Sequence, residues 1–148
     1  MRLDEYRKKL TAFREVCTLA IGDSNIKICV ENTRSFELGF VADGIELLLE
    51  SPVFALTFDT GHNAGGGFMQ FPLIEKQLGR LSHMHLHDYR KAGGDHLPLG
   101  EGNLNIPEYL KLASEHRCRV LLETKTAEGL RISVGWLKKN FDFAEGIS

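Results

Sequence analysis

The sequence has few cysteines, and they lie far apart. Cys17, Cys29 and Cys118 are three in number, and no two of them form a CxxC pair. This argues against a disulfide framework or a cysteine-ligated zinc site, and it favours a reducing compartment. The sequence also lacks an apolar run of the roughly 18 residues that a membrane span needs. The charged residues 1–10 contain no apolar signal core. We therefore expect a cytoplasmic protein with no membrane partner.

An excess of basic residues is absent as well. The chain has 18 Lys and Arg against 20 Asp and Glu, so its formal net charge is -2. Proteins that bind nucleic acids usually carry a basic excess, because the neutralisation of phosphates supplies much of their affinity. The charge balance therefore argues against a nucleic-acid partner.

The length and apolar content are those of an ordinary globular domain. The 148 residues are 43% hydrophobic, which is enough to build a real core. No low-complexity linker divides the chain, so we predict a single domain over residues 1–148.

Strand-like and helix-like patterns alternate along the chain. Short apolar segments predict four strands, at residues 26–31, 53–59, 81–87 and 119–124. Amphipathic segments predict five helices, at residues 3–20, 37–50, 71–80, 107–116 and 131–140. Loops are expected at the glycines of residues 65–67 and over residues 91–105. The alternation predicts βα units with a parallel sheet.

A side chain that can bind a metal stands at the end of each predicted strand. These residues are Glu31, Asp59, His85 and Glu123. Their spacing of 28, 26 and 38 residues approximates the roughly 30 residues of one unit in a (β/α)₈ barrel, whose active sites lie at the carboxyl ends of the strands. Alternation along each strand places these side chains on the less bulky face. Three carboxylates and one imidazole suit Mn²⁺, Zn²⁺, Co²⁺ or Mg²⁺ without choosing among them.

Five segments resemble the xylose isomerase-like barrel superfamily, which includes sugar phosphate isomerases and epimerases, ketose 3-epimerases and endonuclease IV. The segments are ICVENT (28–33), FDTGHN (58–63), HLHD (85–88), DHLPLGEG (95–102) and LLETK (121–125). They match the last four of the family's eight units. The resemblance therefore implies half of a (β/α)₈ TIM barrel, with four βα units and parallel strands.

The resemblance also implies roles for the residues at the strand ends. The four side chains match the metal ligands of the family's epimerases. Glu31 and Glu123 match the acid/base pair that removes and returns a proton beside a carbonyl. The implied function is a metal-dependent isomerase or epimerase, and the implied partner is a small sugar or sugar phosphate.

Three further residues are expected to contact the substrate. His62 matches a residue that contacts substrate in epimerases and a further metal in endonuclease IV. His96 matches another metal-site histidine of the nuclease, and Glu37 resembles a substrate-contacting glutamate of ketose epimerases.

The neighbours of His85 have less defined roles. Alternation places His83 and His87 on the same face, so the choice of His85 as a ligand rests on the family pattern. We expect His83 to be a core histidine with a hydrogen-bonded partner and His87 to begin the next loop. Asp88 is expected to hold the ring of His85 as a hydrogen-bond acceptor.

Two other functions are open from the sequence. One is an abasic-site endonuclease of the endonuclease IV type. Against it, Gly94 stands where the nuclease has an aspartate, and the histidines of the nuclease's first four strands are missing. The other is a non-catalytic remnant or fragment that keeps the fold but lacks the half of the barrel that shapes a pocket.

Four units by themselves leave two unpaired sheet edges and an apolar inner face. Such surfaces invite association. We expect two copies to close an eight-stranded barrel about a two-fold axis, because the chain starts with Met1 and an intact helix. A separate chain carrying the complementary half is the alternative.

Overall fold

A computed structural model describes residues 3–33 and 35–141 of the chain. Its helices are α1 (Leu3–Ile21), α2 (Gly39–Leu49), α3 (Thr60–Gly65), α4 (Phe71–Lys76), α5 (Ile106–Glu115) and α6 (Ala127–Asn140). Its strands are β1 (Ile28–Glu31), β2 (Phe54–Asp59), β3 (Leu81–Leu86), β4 (Asp88–Arg90), β5 (Gly94–Leu97) and β6 (Arg119–Leu122). The domain predicted over residues 1–148 extends past these ranges, since residues 142–148 lie outside the described part.

Four of the strands form one parallel sheet. Its order is β1–β2–β3–β6, and every neighbouring pair is parallel. Helices separate successive strands of this sheet in the chain. The prediction of four βα units with parallel strands is confirmed, and the architecture is that of part of a TIM barrel.

The bulky face of β2 packs beneath the helices. Phe54 lies against Phe13 of α1, with ring centroids 5.9 Å apart. Phe58 contacts Phe71 of α4 at 5.6 Å and Tyr109 of α5 at 5.8 Å. Since these β2 side chains are almost completely buried, this interface forms the centre of the core.

The predicted loops contain additional structure. Residues 60–65 form the short helix α3, because the carboxylate of Asp59 accepts the N–H of His62 and caps the first turn. Residues 94–97, predicted as loop, form β5 and pair antiparallel with β4. α6 begins at Ala127, four residues earlier than predicted, where the side chain of Thr126 caps it by accepting the N–H of Gly129.

The outer strands and the terminal helices leave apolar surface exposed. Val120 and Leu121 of β6 are 39% and 47% exposed. α1 contains no buried residue, and Val16 and Leu19 on it are 65% and 83% exposed. Within the described ranges, no helix has the length and apolarity needed to cross a membrane.

Candidate functional site

The parallel register brings the predicted strand-end residues to one edge of the sheet. Glu31 and Asp59 are the last residues of β1 and β2, and Asp59 lies beside His85 in the pairing of β2 with β3. One ligand atom from each of these three side chains lies within 4.8 Å of the other two. The first three members of the predicted metal-binding set therefore converge.

Glu123, the fourth member, reaches the same place from the end of β6. Its Oε2 lies 2.9 Å from Nδ1 of His85. Both atoms are buried, and neither has a hydrogen-bond partner among the described residues. Nδ1 of His85 also lies 3.6 Å from Oε2 of Glu31 and 3.8 Å from Oδ2 of Asp59. Buried polar atoms that face one another without a hydrogen bond fit a shared cation, so this donor set is compatible with a divalent metal.

Asp59 is the most buried member of the set, with no exposed side-chain surface. Its Oδ1 accepts the backbone N–H of His62 at 2.6 Å, and both of its oxygens lie 3.1 Å from Nε2 of His87. Burial by itself raises the pKa of Asp59, but the hydrogen bonds from His87 and His62 outweigh it, and the net pKa lies below its usual value. Asp59 is therefore held as a carboxylate.

Each of the two glutamates predicted as acid and base lies beside one of the predicted substrate histidines. Nδ1 of His62 lies 3.3 Å from Oε1 of Glu31. Nε2 of His96 lies 3.2 Å from Oε1 of Glu123. The rings of His62 and His96 are 5.9 Å apart, so the two pairs are neighbours.

A cleft opens next to these histidines. It has a volume of about 200 Å³ and is lined by Thr33, Gly61, His62, Gly65 and Asp95. The side chain of His62 therefore contacts the strand-end cluster and also lines the cleft.

Asp95 connects the β4–β5 hairpin to the segment after β6. Its Oδ1 lies 2.9 Å from Nδ1 of His96 and 3.3 Å from Nζ of Lys125. The contact with the His96 ring is the main reason that the pKa of Asp95 falls to about 2, and Lys125 adds to the effect. This ion pair ties the hairpin to the edge of the sheet.

Glu37 lies apart from the other predicted site residues. It occupies the exposed turn before α2. Within the described residues, no hydrogen bond or ion pair connects it to the strand-end cluster. Its role in substrate binding stays a prediction.

The structure contradicts two expectations about the neighbours of His85. Asp88 does not hold His85, because its buried carboxylate accepts the backbone N–H groups of Tyr89, Gly100, Gly102 and Leu104. His83 is half-buried rather than part of the core, and its ring contacts that of His85 at 5.2 Å.

His87 is the functional residue that sequence reasoning missed. It lies between β3 and β4, as expected of a residue that begins a connecting segment, but it is completely buried and donates to Asp59. Burial lowers its pKa and the hydrogen bond with Asp59 raises it, with a net increase. One signal was present in the sequence, because Gly61, two residues after Asp59, leaves room for the ring of His87.

Four parallel βα units, with acids and histidines at the carboxyl ends of their strands, define a partial barrel of the TIM type. The chain belongs to the xylose isomerase-like TIM-barrel family, whose model matches residues 3–140. This membership agrees with the resemblance seen in the five sequence segments.

One curated relative comes from Methanocaldococcus jannaschii, where it is described as an uncharacterized protein. It is 34% identical over 100 residues, which are 63% of this chain and 34% of the relative. The matched region therefore covers only about a third of the relative's length.

Three solved structures share the fold. A D-tagatose 3-epimerase-like protein is 29% identical, with a TM-score of 0.65, over 93% of this chain and 53% of that protein. The probable 3-DHS dehydratase AsbF from Bacillus anthracis has a TM-score of 0.72 at 16% identity, over 96% and 59%. The 3-keto-D-glucoside 4-epimerase YcjR from E. coli has a TM-score of 0.63 at 14% identity, over 94% and 56%. The last two likenesses concern the fold alone, and the chain spans a little over half of each structure.

Proposed function

We propose that this chain carries the metal site and the acid/base pair of a sugar isomerase or epimerase. The observation that carries the proposal is the convergence of Glu31, Asp59 and His85 at one edge of the sheet, where Glu123 contacts His85. Family membership and the likeness to an epimerase-like protein support the same class of reaction.

The four side chains would hold a divalent ion, and such an ion would polarise the carbonyl of a sugar-like substrate. Glu31 and Glu123 would remove and return the proton on the carbon beside that carbonyl. Their carboxylates come from the first and last strands of the sheet, on opposite sides of His85. One carboxylate would then lie on each side of the reacting carbon. Epimerisation requires this, because the proton leaves from one face of the carbon and returns on the other.

His62 and His96 would bind the hydroxyl groups of the substrate. Each already contacts one of the two glutamates, so the same ring can orient both the carboxylate and the substrate. The cleft of about 200 Å³ is small beside ordinary ligand pockets of roughly 300–1,000 Å³. A small hydroxy-carbonyl compound fits this size, and residues supplied from outside the described part would complete the pocket.

Metal binding tests the proposal directly. The 148-residue chain, stripped with a chelator, should bind about one Mn²⁺, Co²⁺ or Zn²⁺ per chain in calorimetry. Glu123→Gln should weaken that binding by at least about tenfold, because it removes a charged ligand. Glu128→Gln is the matched control, since Glu128 pairs with Arg131 on the surface of α6, away from the strand ends. Wild-type chain that binds none of these ions would contradict the proposed function.

We further propose that a complementary half-barrel covers the exposed edges, with a second copy of this chain as its source. The exposed apolar side chains of α1 and β6 flank the two edge strands, where a closed barrel would bury them. Light scattering should give the mass of a dimer, and Leu121→Asp should shift it to that of a monomer. A wild-type monomer would instead favour a fragment, a non-catalytic remnant or a separate partner chain.

The nuclease alternative lacks support at the hairpin. Gly94 stands in place of the nuclease's aspartate and adopts φ +79°, a conformation that a residue with a side chain rarely takes.

We also propose that the protein works in a reducing compartment such as the cytoplasm, since Cys17, Cys29 and Cys118 are all free thiols.

A further inference from the structure

We propose that His87 is a positioning residue that connects the metal-binding carboxylate of Asp59 to the β4–β5 hairpin. The inference rests on the proposed metal site for its effect on affinity. Its geometry, however, exists in the chain itself.

One nitrogen of the ring serves Asp59. Nε2 lies 3.1 Å from Oδ1 and 3.1 Å from Oδ2, so a single N–H is shared by both carboxylate oxygens. A donor placed symmetrically between two oxygens restrains rotation of the carboxylate about its last bond. Because Asp59 also accepts the backbone N–H of His62, two hydrogen-bond donors fix the orientation of its carboxylate.

The other nitrogen serves the hairpin. Nδ1 accepts the backbone N–H of His96 at 2.7 Å. Since that N–H points at Nδ1, the neutral ring carries its proton on Nε2, which is the tautomer that can donate to Asp59. The backbone contact of β5 thus selects the form of His87 that holds the carboxylate.

Packing keeps the ring in this place. The His87 side chain is completely buried and stacks on His96 with ring centroids 4.2 Å apart and planes 5° apart. A methyl group on Gly61 would overlap the ring, so the glycine is needed for His87 to reach Asp59.

The contacts form a continuous path across the site. It runs from Asp59 through His87 to the backbone of His96, and from the side chain of His96 to Glu123. The path joins the centre of the sheet to its edge through the hairpin. Disturbing His87 should therefore affect both a ligand carboxylate and the position of His96.

Two substitutions separate the functions of the two nitrogens. His87→Asn places an amide oxygen near Nδ1, so it can accept the N–H of His96 but cannot reach Asp59. His87→Gln places an amide N–H near Nε2, so it can donate to Asp59 but offers His96 no acceptor at the Nδ1 position. His116→Asn is the matched control, because His116 lies at the end of α5, away from the site.

The experiment measures Co²⁺ affinity and amide hydrogen exchange on the full chain. The Asn variant should bind Co²⁺ about 10- to 100-fold more weakly than wild type, the usual effect of losing a hydrogen bond to a ligand. The Gln variant should stay much closer to wild type. In metal-free chain the His96 amide should exchange faster in the Gln variant and remain protected in the Asn variant. The His116→Asn control should match wild type in both measurements.

An Asn variant with wild-type Co²⁺ affinity, or a Gln variant as weak as Asn, would overturn the link to Asp59. Unchanged His96 exchange in the Gln variant would overturn the link to the hairpin. Because the exchange is measured without metal, it still tests His87 if the wild-type chain binds no ion. That separates failure of this inference from failure of the proposed function.

Discussion

The central and outer strands of the same sheet differ sharply in burial. Every residue of β2 is buried, whereas the first three residues of β6 are exposed and β1 is only partly buried. In a closed barrel all strands have two neighbours and a covered face. The contrast shows that the core is complete at the centre and unfinished at both edges.

The candidate site spans both regions. Asp59, at the end of the central strand β2, has no exposed side-chain surface. Glu31 and Glu123, at the edges, are 35% and 34% exposed. The buried carboxylate thus has a fixed orientation, while the two proposed proton carriers lie where substrate and a complementary half-barrel would reach them.

The largest loss of stability is expected from a mutation at the centre of the sheet. Phe58→Ala should lower the free energy of unfolding by about 3–5 kcal/mol, because it leaves a cavity beside Phe71 and Tyr109. Leu121→Ala, at the exposed edge, should change it by about 0.5 kcal/mol or less when the chain is unassociated. Urea unfolding at low protein concentration measures both. Equal losses at the two positions would contradict the difference between centre and edge.

Substitutions at two glycines, one at the centre and one near the edge, should have intermediate effects on stability. Gly61→Ala should destabilise the chain by about 1–3 kcal/mol, because the new methyl group overlaps the buried ring of His87. Gly135→Ala, in α6 beside the edge, meets no atom within 4 Å and should stabilise the chain by roughly 0.5–1 kcal/mol through helix propensity.

Thermal unfolding of the two variants checks the sign as well as the size. Opposite shifts of Tm are expected. A Gly61→Ala variant that melts with or above wild type would show that the ring of His87 can move aside.

A small effect is also expected where the hairpin meets the edge. The pKa of Asp95 should lie at about 2, below its ordinary value of 3.8, because of His96 first and Lys125 second. Since the folded pKa is depressed, the stabilisation is complete above pH 3.8 and is lost as the pH falls towards 2. At 39% exposure of the side chain, solvent screening should keep it under about 1 kcal/mol.

Carboxyl ¹³C NMR titration of metal-free chain measures the Asp95 pKa. His96→Asn should raise it more than Lys125→Met does, in keeping with the order of the two causes. A wild-type midpoint near 3.8 would show that the hairpin is not held at the edge.

The strands and the convergence of their ends could be predicted because both depend on local pattern. The apolar segments predicted the positions of β1, β2, β3 and β6. Parallel strands then bring their carboxyl ends to the same edge of the sheet. The hairpin was missed because the pairing of Asp88 with Leu97 is a contact between segments with no alternating pattern.

The roles of His87 and Asp88 could not be read from alternation. Alternation placed His87 on the face of His85, but β3 ends at Leu86, so the pattern gave neither the partner of His87 nor the direction of Asp88. His87 turns inward because Gly61 leaves space for it, and Asp88 turns to the backbone amides of the following loop. Such directions come from tertiary packing, which residue spacing does not encode.

Asp59 has a structural role and a proposed metal-binding role, and this limits how the chain can be engineered. The same carboxylate ends β2, starts α3 through the N–H of His62, and belongs to the proposed ion-binding set. Replacing Asp59 with a histidine or cysteine to alter metal preference would also remove the helix start. Changes of metal preference should therefore begin at Glu31 or Glu123, whose side chains cap none of the described helices.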